Sequence, residues 1–181
     1  MIKDKRIAVF GGGGSIGSEL VRQLSQQNKV FIFDQNETAA FDLSEELKQK
    51  GYWVECRIGD IRDRESVHGL FSDFKPQIII NAAALKHVTP SQTYPREYVM
   101  TNIIGHLNII EEAKCWKSTE ELVYISTDKT VSDKKNVMGA TKMCAETINS
   151  SMGFTSVRFG NVMYSRGSVL EIWKRQREAG E

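Results

Sequence analysis

Short apolar runs rich in Val, Ile and Phe recur along this chain, each bounded by Gly, Asp, Asn or Pro and each followed by a stretch of helical period. The runs lie near Arg6–Phe10, Lys29–Phe33, Trp53–Ile58, Gln77–Asn81, Leu122–Ser126 and Ser156–Phe159. The helical stretches lie near Ser15–Gln27, Thr38–Lys50, Asp63–Phe74, Pro95–Lys114, Val137–Met152 and Ser168–Ala179. Strands that are apolar throughout need cover on both faces, and strands joined by helical crossovers run parallel. The expectation is an α/β fold, a doubly wound parallel sheet of about six strands. At 181 residues the chain matches the usual ~100–200 residues of one domain, so 1–181 is read as a single unit.

Composition mainly excludes. With 24 basic and 23 acidic side chains the formal net charge is +1, which gives no broad field for nucleic acid or an anionic membrane. Any anion must be held locally. Cys56, Cys115 and Cys144 are odd in number and far apart, without the spacing of a zinc site or a disulfide framework, so no metal is expected and a reducing cytoplasm is. The longest apolar runs, such as IIINAAAL, fall short of the ~18 residues needed to span a bilayer, and MIKDKRIAVF lacks a signal-peptide pattern.

The first run leads into FGGGGSIGSEL, with Gly11, Gly14 and Gly17 in the spacing G-x-x-G-x-x-G, followed by Ser15 and Ile16 at the start of a helix. Glycine there permits a tight turn and close approach of backbone N–H groups to a pyrophosphate, and the helix N-terminus adds a positive dipole end. A floppy surface loop has the same composition. The position between strand and helix favours a dinucleotide site, and so does Asp34, which ends the second run 17 residues after Gly17. A carboxylate there can accept from both ribose hydroxyls of an adenosine and would repel a 2′-phosphate, so NAD is favoured over NADP.

Asp60 and Ile61 after the third run suit the adenine edge and face, and Ala82 and Ala83 after the fourth let the backbone pass close to a cofactor. Taken singly these are a turn and ordinary packing. Together they line successive carboxyl ends of a parallel sheet, where such folds bind ligands. The fifth run ends in STDK, bringing Thr127, Asp128 and Lys129 to the same edge. MGATK then opens a helix in which Met138 and Lys142, four residues apart, share a face. A solvated lysine and a surface ion pair are the bland readings of Lys142 and of Asp128 with Lys129.

GGGGSIGSEL, FDQNE, GDIRD, NAAALKHV, TNIIGHLNIIEEA, ISTDK, NVMGATKMCAE and VRFGNVMYSRGSV together resemble the CapD-like nucleotide-sugar 4,6-dehydratases of the extended short-chain dehydrogenase/reductase superfamily, from Ile7 to about Val169. The resemblance implies an NAD(P)-binding Rossmann fold and a nicotinamide cofactor retained through a closed redox cycle. It implies a UDP-sugar substrate, typically UDP-N-acetylglucosamine, oxidised at C4, dehydrated across C5–C6 and reduced at C6. On that reading Lys129 takes the C5 proton, Asp128 protonates the departing hydroxyl, Thr127 bonds the C4 oxygen and Lys142 binds the nicotinamide ribose.

Lys142 matches the lysine of the superfamily's Y-x-x-x-K pair, with Met138 in place of the phenol, as in the CapD-like branch. Methionine has no proton to exchange, so packing is its expected role. The resemblance places Lys86, His87, Asn161 and Arg166 near the substrate and gives Asn102 a supporting role. It also implies a homodimer paired through Pro95–Lys114 and Val137–Met152.

Three departures stand out. VTPSQTYP puts Gln92 near the position where the family often has an acid, TVSDKK lacks the family's proline and is one residue longer, and family members continue past GSV through a substrate-binding part largely absent here. A catalytically silent NAD-binding module and a nucleotide-sugar 4-epimerase are therefore alternatives. The second has no need of the Asp128–Lys129 pair.

Overall fold

The computed structural model describes residues 2–131, 136–163, 165, 173–174 and 176–178. Six strands form one parallel sheet: β1 (Arg6–Phe10), β2 (Lys29–Asp34), β3 (Val54–Ile58), β4 (Ile78–Asn81), β5 (Glu121–Thr127) and β6 (Thr155–Phe159). Their order is β3-β2-β1-β4-β5-β6, with every neighbouring pair parallel. Chain direction across the sheet reverses after β3, so β1 and β4 flank the point from which successive crossovers leave in opposite directions. A cleft opens at such a point at the carboxyl ends of the strands.

Alternation along the strands builds two cores. Ala8 and Phe10 of β1, Phe31 and Phe33 of β2, Ile79 of β4 and Tyr124 of β5 pack on one face under α3 (Arg64–Phe74) and α6 (His106–Cys115). Ile7, Val9, Val30 and Ile32 face the other way under α1 (Ser15–Leu24) and α2 (Glu37–Gln49). Phe10, Phe33, Phe71 and Ile32 are wholly buried. Each such side chain contributes about 1.5–3 kcal/mol.

Helix starts follow local chemistry. Asn36 accepts from Ala39 N to open α2, Asp63 accepts from Glu65 N to open α3, and Asn136 accepts from Gly139 N to open α7 (Val137–Ser151). Each cap is worth about 1 kcal/mol.

Two features depart from the sequence expectation. The stretch expected as one helix over Pro95–Lys114 is a short α5 (Pro95–Tyr98), a wide π-helical segment Val99–Gly105, and then α6. Apolar spacing does not separate these, because a locally wider turn keeps an overall helical period. A further short helix, α4 (Val88–Thr93), was not expected; six residues around Pro90 are too few to set up a period. The helix expected over Ser168–Ala179 lies mostly outside the described residues; within it, 173–174 and 176–178 are helical. Among the described residues no helix is long and apolar enough to cross a membrane.

Candidate functional site

A cleft of about 260 Å³ runs along the carboxyl ends of β1, β2 and β4 and is lined by the residues that follow each strand. Gly11, Gly14, Asp34, Asp60, Ile61, Ala82 and Ala83, expected at a cofactor, all border it. Ser15, Ile16 and Gly17 stand beside it in the first turn of α1.

The glycine loop is constrained by contact. Gly11 has φ +74°, and a Cβ there would lie 2.5 Å from Ala83 N. A Cβ on Gly17 would lie 2.1 Å from the Gly11 carbonyl oxygen. Sequence reading passed over Gly12 and Gly13, yet a Cβ on either would come within 2.9 Å of Ile32 or Ala39. All four consecutive glycines are thus buried or close to other backbone, and the floppy-loop reading fails here.

Gly14 differs: among the described residues a Cβ there would meet only the Gly11 oxygen, at 3.2 Å. The first turn of α1 carries no acidic side chain. A helix N-terminus that carries a positive dipole end and no acidic side chain fits a pyrophosphate.

Asp34 is held from both sides. Its Oδ2 accepts from Gly13 N at 2.8 Å and its Oδ1 from Asn36 N at 2.9 Å. Each oxygen keeps acceptor capacity for a hydroxyl donor. Asp60 is committed differently: it accepts from Arg62 N at 2.9 Å and Arg62 Nε at 2.7 Å, and Arg62 also reaches Glu97 at 2.8 Å. Burial alone would raise the Asp60 carboxyl, but the Arg62 contacts outweigh it and hold the group below its ordinary value.

The loop after β4 is fixed by Asn102. Its amide both accepts from Leu85 N, at 2.9 Å, and donates to Leu85 O, at 3.0 Å, as a backbone partner would. It donates further to Thr141 Oγ1 at 3.1 Å, and Thr141 in turn donates to Met138 O. Asn102 lies in the π-helical segment, a geometry that recurs where a helix must present a side chain out of its regular register. Ser91 of α4, missed by sequence reading, accepts from Met138 N at 3.2 Å, so α4 caps the start of α7.

At the ends of β5 and β6 the polar groups meet one another. Thr127 Oγ1 donates to Asp128 Oδ1 at 3.1 Å, the Lys129 ammonium lies 3.7 Å from the same oxygen, and it donates to Asn161 Oδ1 at 3.3 Å. A Cβ on Gly139 would lie 2.8 Å from Lys129 O, so that glycine lets the first turn of α7 press on the STDK turn. Asp128 and Lys129 remain 57% and 41% exposed, which leaves them accessible to a ligand. Lys86 and His87 are exposed at the start of α4, and the His87 carbonyl accepts from Tyr98 Oη at 2.6 Å. Arg166 lies outside the described residues.

Met138 is 2% exposed and acts as packing. Lys142 is also buried. Its ammonium donates to Ile125 O at 2.7 Å and lies 4.5 Å from the centre of the Tyr124 ring. Burial lowers its pKa to about 7, against the raising influence of Glu146. Glu146 is itself held low, chiefly by its hydrogen bonds from Arg158 of β6 at 2.7 and 2.9 Å. The surface-lysine reading of Lys142 is therefore wrong, and a charged group costs free energy in this position.

The chain matches, over residues 7–181, the family described as polysaccharide biosynthesis protein. A Methanocaldococcus jannaschii protein described as an uncharacterized membrane protein is 43% identical over 98% of this chain and 55% of its own length. The probable polysaccharide biosynthesis protein EpsC of Bacillus subtilis is 41% identical over 99% of this chain and 31% of its own length. A UDP-N-acetylglucosamine 4,6-dehydratase (inverting) of Campylobacter jejuni is 31% identical, over 97% of this chain and 54% of that enzyme. Among solved structures, Pen from Bacillus thuringiensis superimposes with a TM-score of 0.90 at 35% identity, covering 98% of this chain and 57% of Pen. The Thermus thermophilus UDP-glucose 4-epimerase complex with NAD gives 0.70 at 26% identity, covering 84% of this chain and 53% of that one. The chain thus spans about half, or less, of the length of these relatives.

Proposed function

Because the chain belongs to the polysaccharide biosynthesis protein family, we propose that it is an NAD-dependent nucleotide-sugar 4,6-dehydratase, or the cofactor-binding part of one, acting on a UDP-sugar such as UDP-N-acetylglucosamine. The observation that carries this reading is the cluster of Thr127, Asp128, Lys129 and Asn161 at the ends of adjacent strands β5 and β6. A base and an acid on consecutive residues suit removal of a proton and of a hydroxyl from neighbouring carbons. The likeness to the Campylobacter jejuni dehydratase and to the NAD complex of the Thermus thermophilus epimerase supports substrate class and cofactor.

Each residue then has a task. The α1 mouth binds the pyrophosphate, Asp34 accepts from the adenosine ribose hydroxyls, and Ile61, Ala82 and Ala83 close around the rest of the dinucleotide. A bound nicotinamide supplies the means to take a hydride from the sugar and return it. Thr127 bonds the C4 oxygen, whose proton passes to solvent as the hydride leaves, Lys129 removes the C5 proton, Asp128 protonates the departing 6-hydroxyl, and Asn161 holds Lys129 in place. Lys142 binds the nicotinamide ribose. Lys86, His87 and Arg166 serve the substrate. Two copies pair through α6 and α7, where Met143 is 48% exposed.

Incubation of the full chain with NAD and UDP-N-acetylglucosamine, followed by mass and NMR analysis, tests the reading. A 4-keto-6-deoxy product that has lost one water supports it. A 4-epimer of unchanged mass overturns it in favour of an epimerase, and NAD binding with no UDP-sugar binding overturns it in favour of a silent cofactor module.

A further inference from the structure

Beneath the open cleft lies a stack of polar side chains to which the proposed chemistry assigns no task. Asn81 of β4 bonds the buried His106 ring through Nδ1 at 2.9 Å. The His106 and Tyr124 rings stack with centroids 4.2 Å apart and planes 27° from parallel. Tyr124 in turn carries the Lys142 ammonium at 4.5 Å from its ring centre. The chain of contacts therefore runs from β4 through α6 and β5 to α7.

Tyr124 is fully buried, and among the described residues its hydroxyl has no hydrogen-bond partner. A buried hydroxyl without a partner costs stability, and a phenylalanine would fill nearly the same space without that cost. The feature of Tyr124 that the structure uses is its aromatic face. An ammonium taken out of water gains more from such a face than an exposed one does.

We propose that Tyr124, braced by His106 and Asn81, is a positioning residue for Lys142: its ring fixes where the buried ammonium sits, and so where Lys142 meets the cofactor ribose. The proposal rests on the cofactor reading above for its last step only. The surroundings agree with it. His106 is kept neutral, its pKa lowered to about 3 by burial and by the nearby Lys142 charge, so the ring behind Tyr124 does not repel the ammonium at neutral pH. Burial likewise keeps the Tyr124 phenol protonated. Glu146 on α7 is the anion that acts on Lys142, and its hydrogen bonds to Arg158 of β6 occupy it. Among the described residues, the Ile125 carbonyl and the Tyr124 ring give the Lys142 ammonium its direct support.

The test has an arm that needs no cofactor. In the ligand-free protein, the Lys142 side-chain protons, assigned by their loss in Lys142→Met, should show an upfield ring-current shift. Tyr124→Phe should retain the shift and Tyr124→Leu should abolish it. The second arm is a double-mutant cycle on NAD affinity. Tyr124→Leu should weaken binding about five- to thirty-fold in the native background and have no effect in Lys142→Met, while Tyr124→Phe stays within two-fold throughout. A ring-current shift that survives Tyr124→Leu overturns the positioning claim whatever binds in the cleft. Equal losses in both backgrounds overturn it too. If no variant binds NAD at all, the cofactor reading fails, and the ring-current arm still decides where Lys142 is held.

Discussion

The two ends of the carboxyl edge of this sheet are built from different materials. At the β1–β2 end the site is mostly backbone: Gly11 to Gly13 and Gly17 lie so close to neighbouring elements and to each other that a Cβ at Gly17 would meet a carbonyl oxygen at 2.1 Å. At the β5–β6 end it is side chains: Asp128, Lys129 and Asn161 meet above, while Lys142, Tyr124, His106 and the Glu146–Arg158 pair are coupled beneath. A backbone-built site tolerates almost no added atom. A side-chain-built site tolerates atoms but not the loss of a partner, because each group is positioned by another from a distant part of the chain.

Substitutions should separate the two ends. Lys129→Ala should lower turnover about 10²–10⁴-fold and stop exchange of the sugar C5 proton with solvent. Its NAD affinity and unfolding free energy should change little, since Lys129 is 41% exposed. Continued C5 exchange, followed by NMR in deuterated water, would show that another base acts. Gly17→Ala should do the opposite, destabilising the fold by about 1–3 kcal/mol and removing NAD binding together, because the methyl must displace backbone. Chemical denaturation and calorimetry on one sample would reveal any dissociation of the two effects.

Asp34→Ala should weaken NAD about ten-fold and NADP much less, since charged acceptors to a hydroxyl are worth about 1.5–3 kcal/mol. Equal losses for both cofactors would remove the ribose assignment. The smallest effect is one of slope. Lys142 has its pKa lowered to about 7 in the fold, against 10.5 for the free side chain, so between those values the unfolded chain binds the extra proton and stability rises with pH. Lys142→Met should remove that rise, about 1.4 kcal/mol per pH unit at its steepest, as read from the difference between denaturation curves of the two proteins across pH 7–10.5.

The same contrast decides what could be read in advance. The six-stranded parallel sheet and the glycine loop were legible because a parallel sheet and a tight turn impose local patterns, so Gly11, Gly14, Gly17 and Asp34 fall at recognisable spacings, and Gly11, Gly14 and Asp34 border one cleft. Gly12 and Gly13 were passed over because the motif does not require them; packing against Ile32 and Ala39 does. The π-helical turn that presents Asn102 leaves no mark in apolar spacing. Nor does anything local announce that Asn81 meets His106 or that Ser91 caps α7, since 25 and 47 residues separate those pairs. Met138, expected to pack rather than to exchange protons, is buried, whereas the burial of Lys142, a residue type most often solvated, needed the tertiary structure.

The two margins of the sheet also differ in how they would behave in a crowded solution. Along β3 the Arg57–Asp73 ion pair and Glu55 keep charge at the border, and Trp53 lies flat on Phe74 rather than projecting outward. Along β6, Thr155, Val157 and Arg158 are exposed, and the one charge among them is already tied to Glu146. Strand borders with open backbone groups and little free charge recruit other strands. Among the described residues β6 is therefore the margin with less free charge to discourage strand addition.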